Sequence, residues 1–175
     1  ILSVIVTLAA VYSGKCPSGR EKLWYSSSLF ISAGAIGAFL STDVFFFYAF
    51  HELALIPTFL MIGILGRGDR KEAAWKITIY LAFGSIILLA GLLLATSHTG
   101  SFAFSDLKEI PATAQNTVAL LLIIGFGTLV SLFPLHSWAA PAYASAPTPV
   151  AMLHAGVMKK FGLYGLLVIG MKVAP

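Results

Sequence analysis

The sequence has few cysteines and few charged residues. Its single cysteine, Cys16, excludes an internal disulfide and a metal site built from several thiolates. Charged residues make up 10% of the 175 residues, whereas a soluble domain has roughly one quarter. Apolar residues make up 58%. These proportions indicate a protein whose surroundings are largely lipid.

Sequence patterns for nucleotide, iron–sulfur and haem binding are also missing. The chain has no glycine-rich nucleotide loop, no cysteine cluster and no histidine pair suited to haem ligation across helices. We therefore expect no redox cofactor and no metal on this chain. The net charge of +4 does not indicate nucleic acid, because the basic residues lie in short loops and do not cluster with exposed aromatic residues.

Long apolar runs predict an all-α, polytopic transmembrane helix bundle of five to six spans. A transmembrane helix needs about 20 predominantly apolar residues. We predict a single transmembrane domain over residues 1–175. Because the chain has no initiator methionine and stops just past an apolar run, we expect it to be a piece of a longer polypeptide. The predicted spans are 24–40, 44–65, 77–96, 117–145 and 150–170, with 1–11 as a truncated span.

The charges on the connections alternate in sign along the chain. Connection 12–23 holds three basic residues against one acidic residue, and connection 66–76 holds four against two. Connections 41–43 and 97–116 each have one more acidic than basic residue. Since cytoplasmic loops are enriched in lysine and arginine, we expect loops 12–23 and 66–76 to be cytoplasmic in a bacterial inner membrane.

A proline-rich stretch predicts that the fifth predicted span, 117–145, is a broken helix. The segment SLFPLHSWAAPAYASAPTPV holds Pro134, Pro141, Pro147 and Pro149, and a straight helix cannot continue through them. We expect a break at about residue 133 and a second helical piece over 135–145. Broken helices often line hydrated cavities that hold ion sites. The alternative is an ordinary span followed by an irregular loop.

Glu52 is the first candidate for proton transfer. It lies nine residues past Asp43, which places it about 13 Å into a hydrocarbon core of about 30 Å. An ionised carboxylate at that depth requires a partner, a proton or water, so function is the first interpretation and a satisfied structural carboxylate the second. His51 points about 100° away around a helix, so the two residues need not form a pair.

Two adjacent lysines, Lys159 and Lys160, are predicted at a similar depth in the last span. They lie ten and eleven residues beyond Pro149, about 15 Å from the start of that span. Burial lowers a lysine pKa, so such a group can exchange a proton. Because they point about 100° apart, we expect one to face a cavity and the other to extend toward an interface.

Three further residues could carry protons. His154 and His136 have side chains that titrate near neutral pH, although a neutral histidine bonded to a freed carbonyl is the alternative for each. Lys76, at the basic end of the span predicted over 77–96, is either an interfacial anchor or a group that swings toward the helix of Glu52.

Four segments carry a family resemblance: HELALIP, AAWKITIY, FPLHSW and APTPVAMLHAGVMKKFGLYGL. Together they resemble the antiporter-like proton-channel subunits of respiratory complex I (NADH:quinone oxidoreductase), most closely the subunit M/ND4 type. The resemblance implies that Glu52 is a pumping carboxylate, that Lys160 and Lys76 correspond to family lysines, and that the fold is the first inverted repeat of the antiporter-like architecture. It also implies other complex I membrane subunits as partners, with NAD, FMN, iron–sulfur clusters and quinone on partner subunits.

One position departs from the subunit M pattern, which has a lysine where this chain has Leu129. The nearest polar groups, Thr128 and Ser131, do not titrate near neutral pH, so the resemblance suggests that His154 or Lys159 takes over that role.

The segment PTPVAMLHAG also resembles the subunit L and Mrp antiporter pattern. The alternatives are an Mrp-type Na⁺/H⁺ antiporter subunit, a membrane subunit of a hydrogenase or formate-linked complex, and a non-catalytic spacer.

Overall fold

The computed structural model describes residues 19–173 together with residues 5, 8, 9, 12 and 16. Most of the predicted span 1–11, and residues 13–15, 17 and 18 of connection 12–23, lie outside the described residues. Within the described part, the chain is built from helices, and no strand occurs there beyond an isolated bridge between Asp43 and Ala103. Five described helices are long and apolar enough to cross a membrane. The predicted all-α transmembrane fold is confirmed.

The described helices follow one another through short connections. A 3₁₀ helix, Phe104–Glu109, lies in the longest of these connections. The last helix has two π-helical segments, His154–Met158 and Leu166–Gly170. The helices are α1 (Glu21–Leu40), α2 (Val44–Leu65), α3 (Arg70–Thr99), α4 (Ala112–Val130), the short α5 (Ala139–Ser145) and α6 (Thr148–Val173).

Several helices extend beyond the spans expected from hydropathy. Helix α3 has 30 residues and exceeds the predicted 77–96 at both ends, and α4 begins at residue 112 where 117 was expected. Hydropathy detects the part of a helix that lies in hydrocarbon, whereas backbone hydrogen bonds continue into the polar interface. Helix α3 ends where Gly100 adopts a left-handed conformation with φ of 67°.

The break between α4 and α5 covers residues 131–138, so the second piece starts four residues later than the predicted 135. Helix α4 ends at Val130, and the next residue, Ser131, has a left-handed backbone with φ of 67°. The carbonyl of Thr128 accepts hydrogen bonds from the Ser131 amide at 3.2 Å and from the Trp138 indole at 3.1 Å. The protein itself thus satisfies carbonyl groups at the end of the helix, as a low-dielectric environment requires.

Backbone contacts place the acidic and basic connections at opposite ends of the bundle. The Val44 amide donates to the Phe102 carbonyl at 2.8 Å, and the Phe104 amide donates to the Thr42 carbonyl at 3.0 Å. These bonds join the two acidic connections. At the other end, the Arg67 amide donates to the Ser145 carbonyl at 2.8 Å, so the basic connection contacts the end of α5.

Glycines allow the helices to approach closely. A Cβ atom at Gly162 on α6 would lie 2.8 Å from the Phe126 carbonyl oxygen and 3.2 Å from the Leu129 Cβ on α4. On the same helix, a Cβ atom at Gly156 would meet no heavy atom within 4 Å. Small residues at helix interfaces are how membrane helices gain packing contact, since lipid supplies little hydrophobic driving force between them.

We expect Gly162→Ala to lower the thermal stability of the full-length protein and Gly156→Ala to maintain or raise it. The added methyl at position 162 forces α4 and α6 apart, and overpacking of this kind costs about 1–3 kcal/mol. At position 156 alanine gains about 1 kcal/mol of helix propensity with no clash. Thermal unfolding midpoints in one detergent would compare the two variants. Equal midpoints would contradict this account of the α4–α6 contact.

Candidate functional site

Glu52 is held in place by hydroxyl groups that bridge α2 and α3. The Ser85 hydroxyl on α3 donates a hydrogen bond to the Glu52 carboxylate. Tyr48 lies one helical turn before Glu52, and its hydroxyl is 2.9 Å from the Ser85 oxygen. Because Ser85 uses its only proton toward Glu52, Tyr48 donates to Ser85. The carboxylate is thereby oriented toward α3, and its side chain is 35% exposed.

His51 is the ionisable neighbour of Glu52. Its Nδ1 lies 3.6 Å from Glu52 Oε1, although helix geometry alone did not require the two to approach. The His51 side chain is 1% exposed, and its ring meets the ring of Phe161 on α6 edge-on, with 5.6 Å between centroids. Among the described residues, no lysine or arginine lies within 4 Å of Glu52, so a direct Glu52–lysine pair is not formed there.

A cavity of about 190 Å³ adjoins Glu52 between α2 and α3. It extends along both helices from Glu52 toward the basic end of the bundle, and Thr58 and Thr78 supply its other polar side chains. The volume is sufficient for several water molecules, each of which occupies roughly 30 Å³ in the liquid. Its other lining residues are Leu55, Ile56, Phe59, Ile77, Leu81 and Ala82.

Lys76 lines a second cavity of about 380 Å³ at the basic end of the bundle. Arg67, Asp69 and Glu72 line the same cavity, and α5 forms its opposite wall with residues that include Ser145. The first cavity begins at the next residues, Ile77 and Thr78. Lys76 thus adjoins the residues of the first cavity along α3, and it makes no ion pair with Glu52.

The two adjacent lysines of α6 point in different directions. The Lys159 ammonium lies 5.5 Å from the ring centroid of Trp138 and 5.0 Å from that of Tyr143, which are cation–π distances. Lys159 is half-buried against the broken helix. Lys160 is exposed on the surface of the described bundle. Of the two, it is Lys159 that faces the break, whereas the resemblance assigns the family role to Lys160.

His154 and Lys159 both contact Tyr143 and form a cluster with it, whereas His136 lies elsewhere. His154 is 3% exposed, and its Nδ1 is 3.1 Å from the Tyr143 hydroxyl. Its Nε2 is buried without a hydrogen-bond partner among the described residues. His136 is exposed and stacks on Phe133 with 5.7 Å between centroids. The break therefore brings His154 to Tyr143 and leaves His136 at the surface of the described bundle.

Leu129 occupies the interior position where the subunit M pattern has a lysine. It is 4% exposed and packs against α6 at Gly162. Sequence reasoning missed Tyr48, Ser85 and Tyr143 as partners of the candidate site residues. Of these, only Tyr48 gave a signal, since its spacing of four from Glu52 places both on one helix face.

An all-α membrane bundle with a broken helix and interior carboxylate, histidine and lysine groups is typical of proteins that move ions through their interior. The family described as NADH:quinone oxidoreductase/Mrp antiporter, transmembrane, matches residues 41–174. The chain belongs to this family.

Curated relatives and solved structures agree with this membership. The chain is 34% identical over 180 residues to NAD(P)H-quinone oxidoreductase chain 4 2 of Microcystis aeruginosa, with 100% of this chain and 32% of the relative covered. It is 36% identical over 181 residues to chain 4 3 of Picosynechococcus, with 100% and 33% covered. The chain thus spans about a third of the length of these relatives.

Two solved complexes contain chains with the same fold. A chain of respiratory complex I from Thermus thermophilus superposes with a TM-score of 0.83 at 27% identity, covering 99% of this chain and 38% of that one. A chain of the Mrp complex from Dietzia superposes with a TM-score of 0.80 at 24% identity, covering 95% and 32%. The second likeness concerns the fold alone.

Proposed function

We propose that this chain is a proton-translocating membrane subunit of an NADH:quinone oxidoreductase. The observation that carries the proposal is a carboxylate, Glu52, fixed inside the membrane by Ser85 and adjoining a cavity that extends toward the basic end of the bundle. An ionisable group in the membrane interior is by default a functional group. The relatives named NAD(P)H-quinone oxidoreductase chain 4 support the choice of complex.

The proposed proton path begins at the basic end. Protons enter the cavity lined by Lys76, continue through water in the cavity between α2 and α3, and reach Glu52. From there the charge state of Glu52 acts on Lys160 and on His154 in α6, while Lys159 helps to hold the broken helix in position. Coulomb coupling between such groups is stronger in a low-dielectric interior than in water. His136 is the remaining candidate, at the outer surface of the break.

The proposed surroundings follow from the same resemblance. Other membrane subunits of the complex are the partners, and NAD, FMN, iron–sulfur clusters and quinone bind to partner subunits. The chain is an integral membrane protein, and we place it in a bacterial inner membrane with loops 12–23 and 66–76 in the cytoplasm. The position of the basic connection opposite the two acidic connections supports this orientation.

The proposal is tested with the complete complex in proteoliposomes. We expect NADH oxidation with quinone to change the lumenal pH, in a direction set by the orientation of the complex in the liposome membrane. This pH change should not require Na⁺, and an uncoupler should abolish it. A pH change driven by a Na⁺ gradient without NADH would contradict the proposal and favour the Mrp-type antiporter, which the family description also includes. Electron transfer from H₂ or formate in place of NADH would favour a hydrogenase or formate-linked complex.

A further inference from the structure

We propose that His51 is a second proton-carrying residue, which gives a proton to Glu52 and takes one back. The inference rests on the proposed function and adds a residue to its path. The supporting observation is that the buried imidazole of His51 lies beside the Glu52 carboxylate. Among the described residues, no other cationic side chain lies within ion-pair distance of Glu52.

The first observation is the burial of an unsatisfied ring nitrogen. His51 is 1% exposed, and its Nδ1 has no hydrogen-bond partner among the described residues. A buried polar atom left without a partner costs about 1–3 kcal/mol. Groups of this kind in native structures require an explanation, and a catalytic role is one of the recognised explanations.

The second observation is the direction of that nitrogen. His51 Nδ1 lies 3.6 Å from Glu52 Oε1, whereas a hydrogen bond from nitrogen to oxygen spans about 2.7–3.2 Å. A side-chain movement of less than an ångström, on the order of ordinary thermal displacements, closes that gap. Because Ser85 already bonds to the same carboxylate, Glu52 is oriented while His51 remains free to approach it.

The surroundings of His51 leave Glu52 as its proton acceptor. On its own helix, the Tyr48 ring lies 6.3 Å away between centroids, and Tyr48 bonds to Ser85. On α6, the fully buried Phe161 meets the imidazole edge-on, with 5.6 Å between the ring centroids. Among the described residues, Glu52 is the charged group that His51 reaches.

The transfer itself balances in atoms and charge. The Nδ1–H bond of the His51 imidazolium breaks, and an O–H bond forms on the Glu52 carboxylate. A cation and an anion thereby become a neutral imidazole and a neutral carboxylic acid, so the net charge of the pair stays at zero. A pair with zero net charge avoids the large cost of an unpaired ion in the membrane interior. Histidine suits the role because its ring nitrogens can each either donate or accept a proton.

The test uses His51→Gln in the full-length chain within the assembled, reconstituted complex. Glutamine keeps polar atoms in a side chain of similar length and cannot carry a proton at neutral pH. We expect the proton-to-electron ratio to fall at least tenfold relative to wild type, and the pH midpoint of the infrared carbonyl band of Glu52 to shift. His98→Gln, at an exposed position near the end of α3, is the matched control and should change neither quantity.

Each outcome decides between the two proposals. If Glu52→Gln abolishes translocation while His51→Gln retains a normal ratio and an unshifted band, the inference about His51 is overturned and the proposed function stands. A normal ratio in both variants overturns the proposed function together with this inference. Should His51→Gln fail to assemble, nitrogen-15 NMR of histidine-labelled wild-type complex replaces it. The His51 signal should then change protonation between the resting and NADH-reduced states, and an unchanged signal overturns the inference.

Discussion

Glu52→Gln is expected to abolish proton translocation by the reconstituted complex while the complex still assembles. Glutamine has nearly the same shape, and its amide oxygen still accepts the hydrogen bond from Ser85. It cannot be charged, so it neither attracts a proton through the adjoining cavity nor passes one on. The decisive measurement is the proton-to-electron ratio, obtained from a lumenal pH dye and the rate of NADH oxidation.

Glu109→Gln is the control for that experiment. Glu109 is exposed at the end of the 3₁₀ helix, on the opposite side of the bundle from the basic connection. We expect it to translocate protons at the wild-type ratio. An unchanged ratio in Glu52→Gln, with the control also normal, would show that no pumped proton requires this carboxylate and would contradict the proposed path.

Lys160→Met should reduce coupled translocation at least tenfold, whereas Lys159→Met should retain at least half of it. Lys159 lies over the rings of Trp138 and Tyr143 and so helps to hold the broken helix in position. A cation–π contact contributes about 0.5–2 kcal/mol, so its loss lowers stability more than transport. Lys160 has no ring or ion-pair partner among the described residues, and the sequence resemblance assigns the relay role to it.

The same ratio measurement and a thermal unfolding midpoint separate the two lysines. We expect the lower midpoint in Lys159→Met and the lower proton-to-electron ratio in Lys160→Met. The reverse pattern would assign the relay to Lys159 and leave Lys160 as a group directed toward an interface. That result would also agree with the proximity of Lys159 to His154 in the cluster beside the break.

The sequence predicted the broken helix because proline has a fixed local effect. Pro134 cannot donate a backbone hydrogen bond, so a break near residue 133 followed directly. The extent of the break, 131–138, was not predictable in the same way. It depends on the left-handed backbone of Ser131 and on the indole of Trp138 reaching back to the Thr128 carbonyl, which are contacts between residues up to ten positions apart.

The depth of Glu52 was predictable, but its partners were not. Helix rise converts nine residues past Asp43 into about 13 Å of depth. Ser85 lies 33 residues farther along the chain, and its contact with Glu52 depends on how α2 and α3 pack. The approach of His51 to Glu52 depends on side-chain conformation, since the two directions differ by about 100° on an ideal helix.

The orientation of the two lysines could not be read from helical spacing alone. The π-helical segment His154–Met158 lies between Pro149 and the lysines and alters the register of α6. An ideal helix of 3.6 residues per turn therefore misplaces the residues that follow it. Which of the two lysines meets Trp138 and Tyr143 depends on how the break and α5 pack against α6.

Proton transfer through Glu52 requires that its carboxylate lie in a water-filled passage inside the membrane. Cysteine accessibility tests this directly in the full-length chain, with Cys16→Ala as the background and Lys71→Cys in the basic connection as the exposed control. Glu52→Cys should resist a bulky, membrane-impermeant maleimide applied from either side of the membrane. It should react with a small, water-soluble thiol reagent. Lys71→Cys should react with both reagents. Rapid labelling of position 52 by the bulky maleimide would place it in bulk solvent and contradict the account.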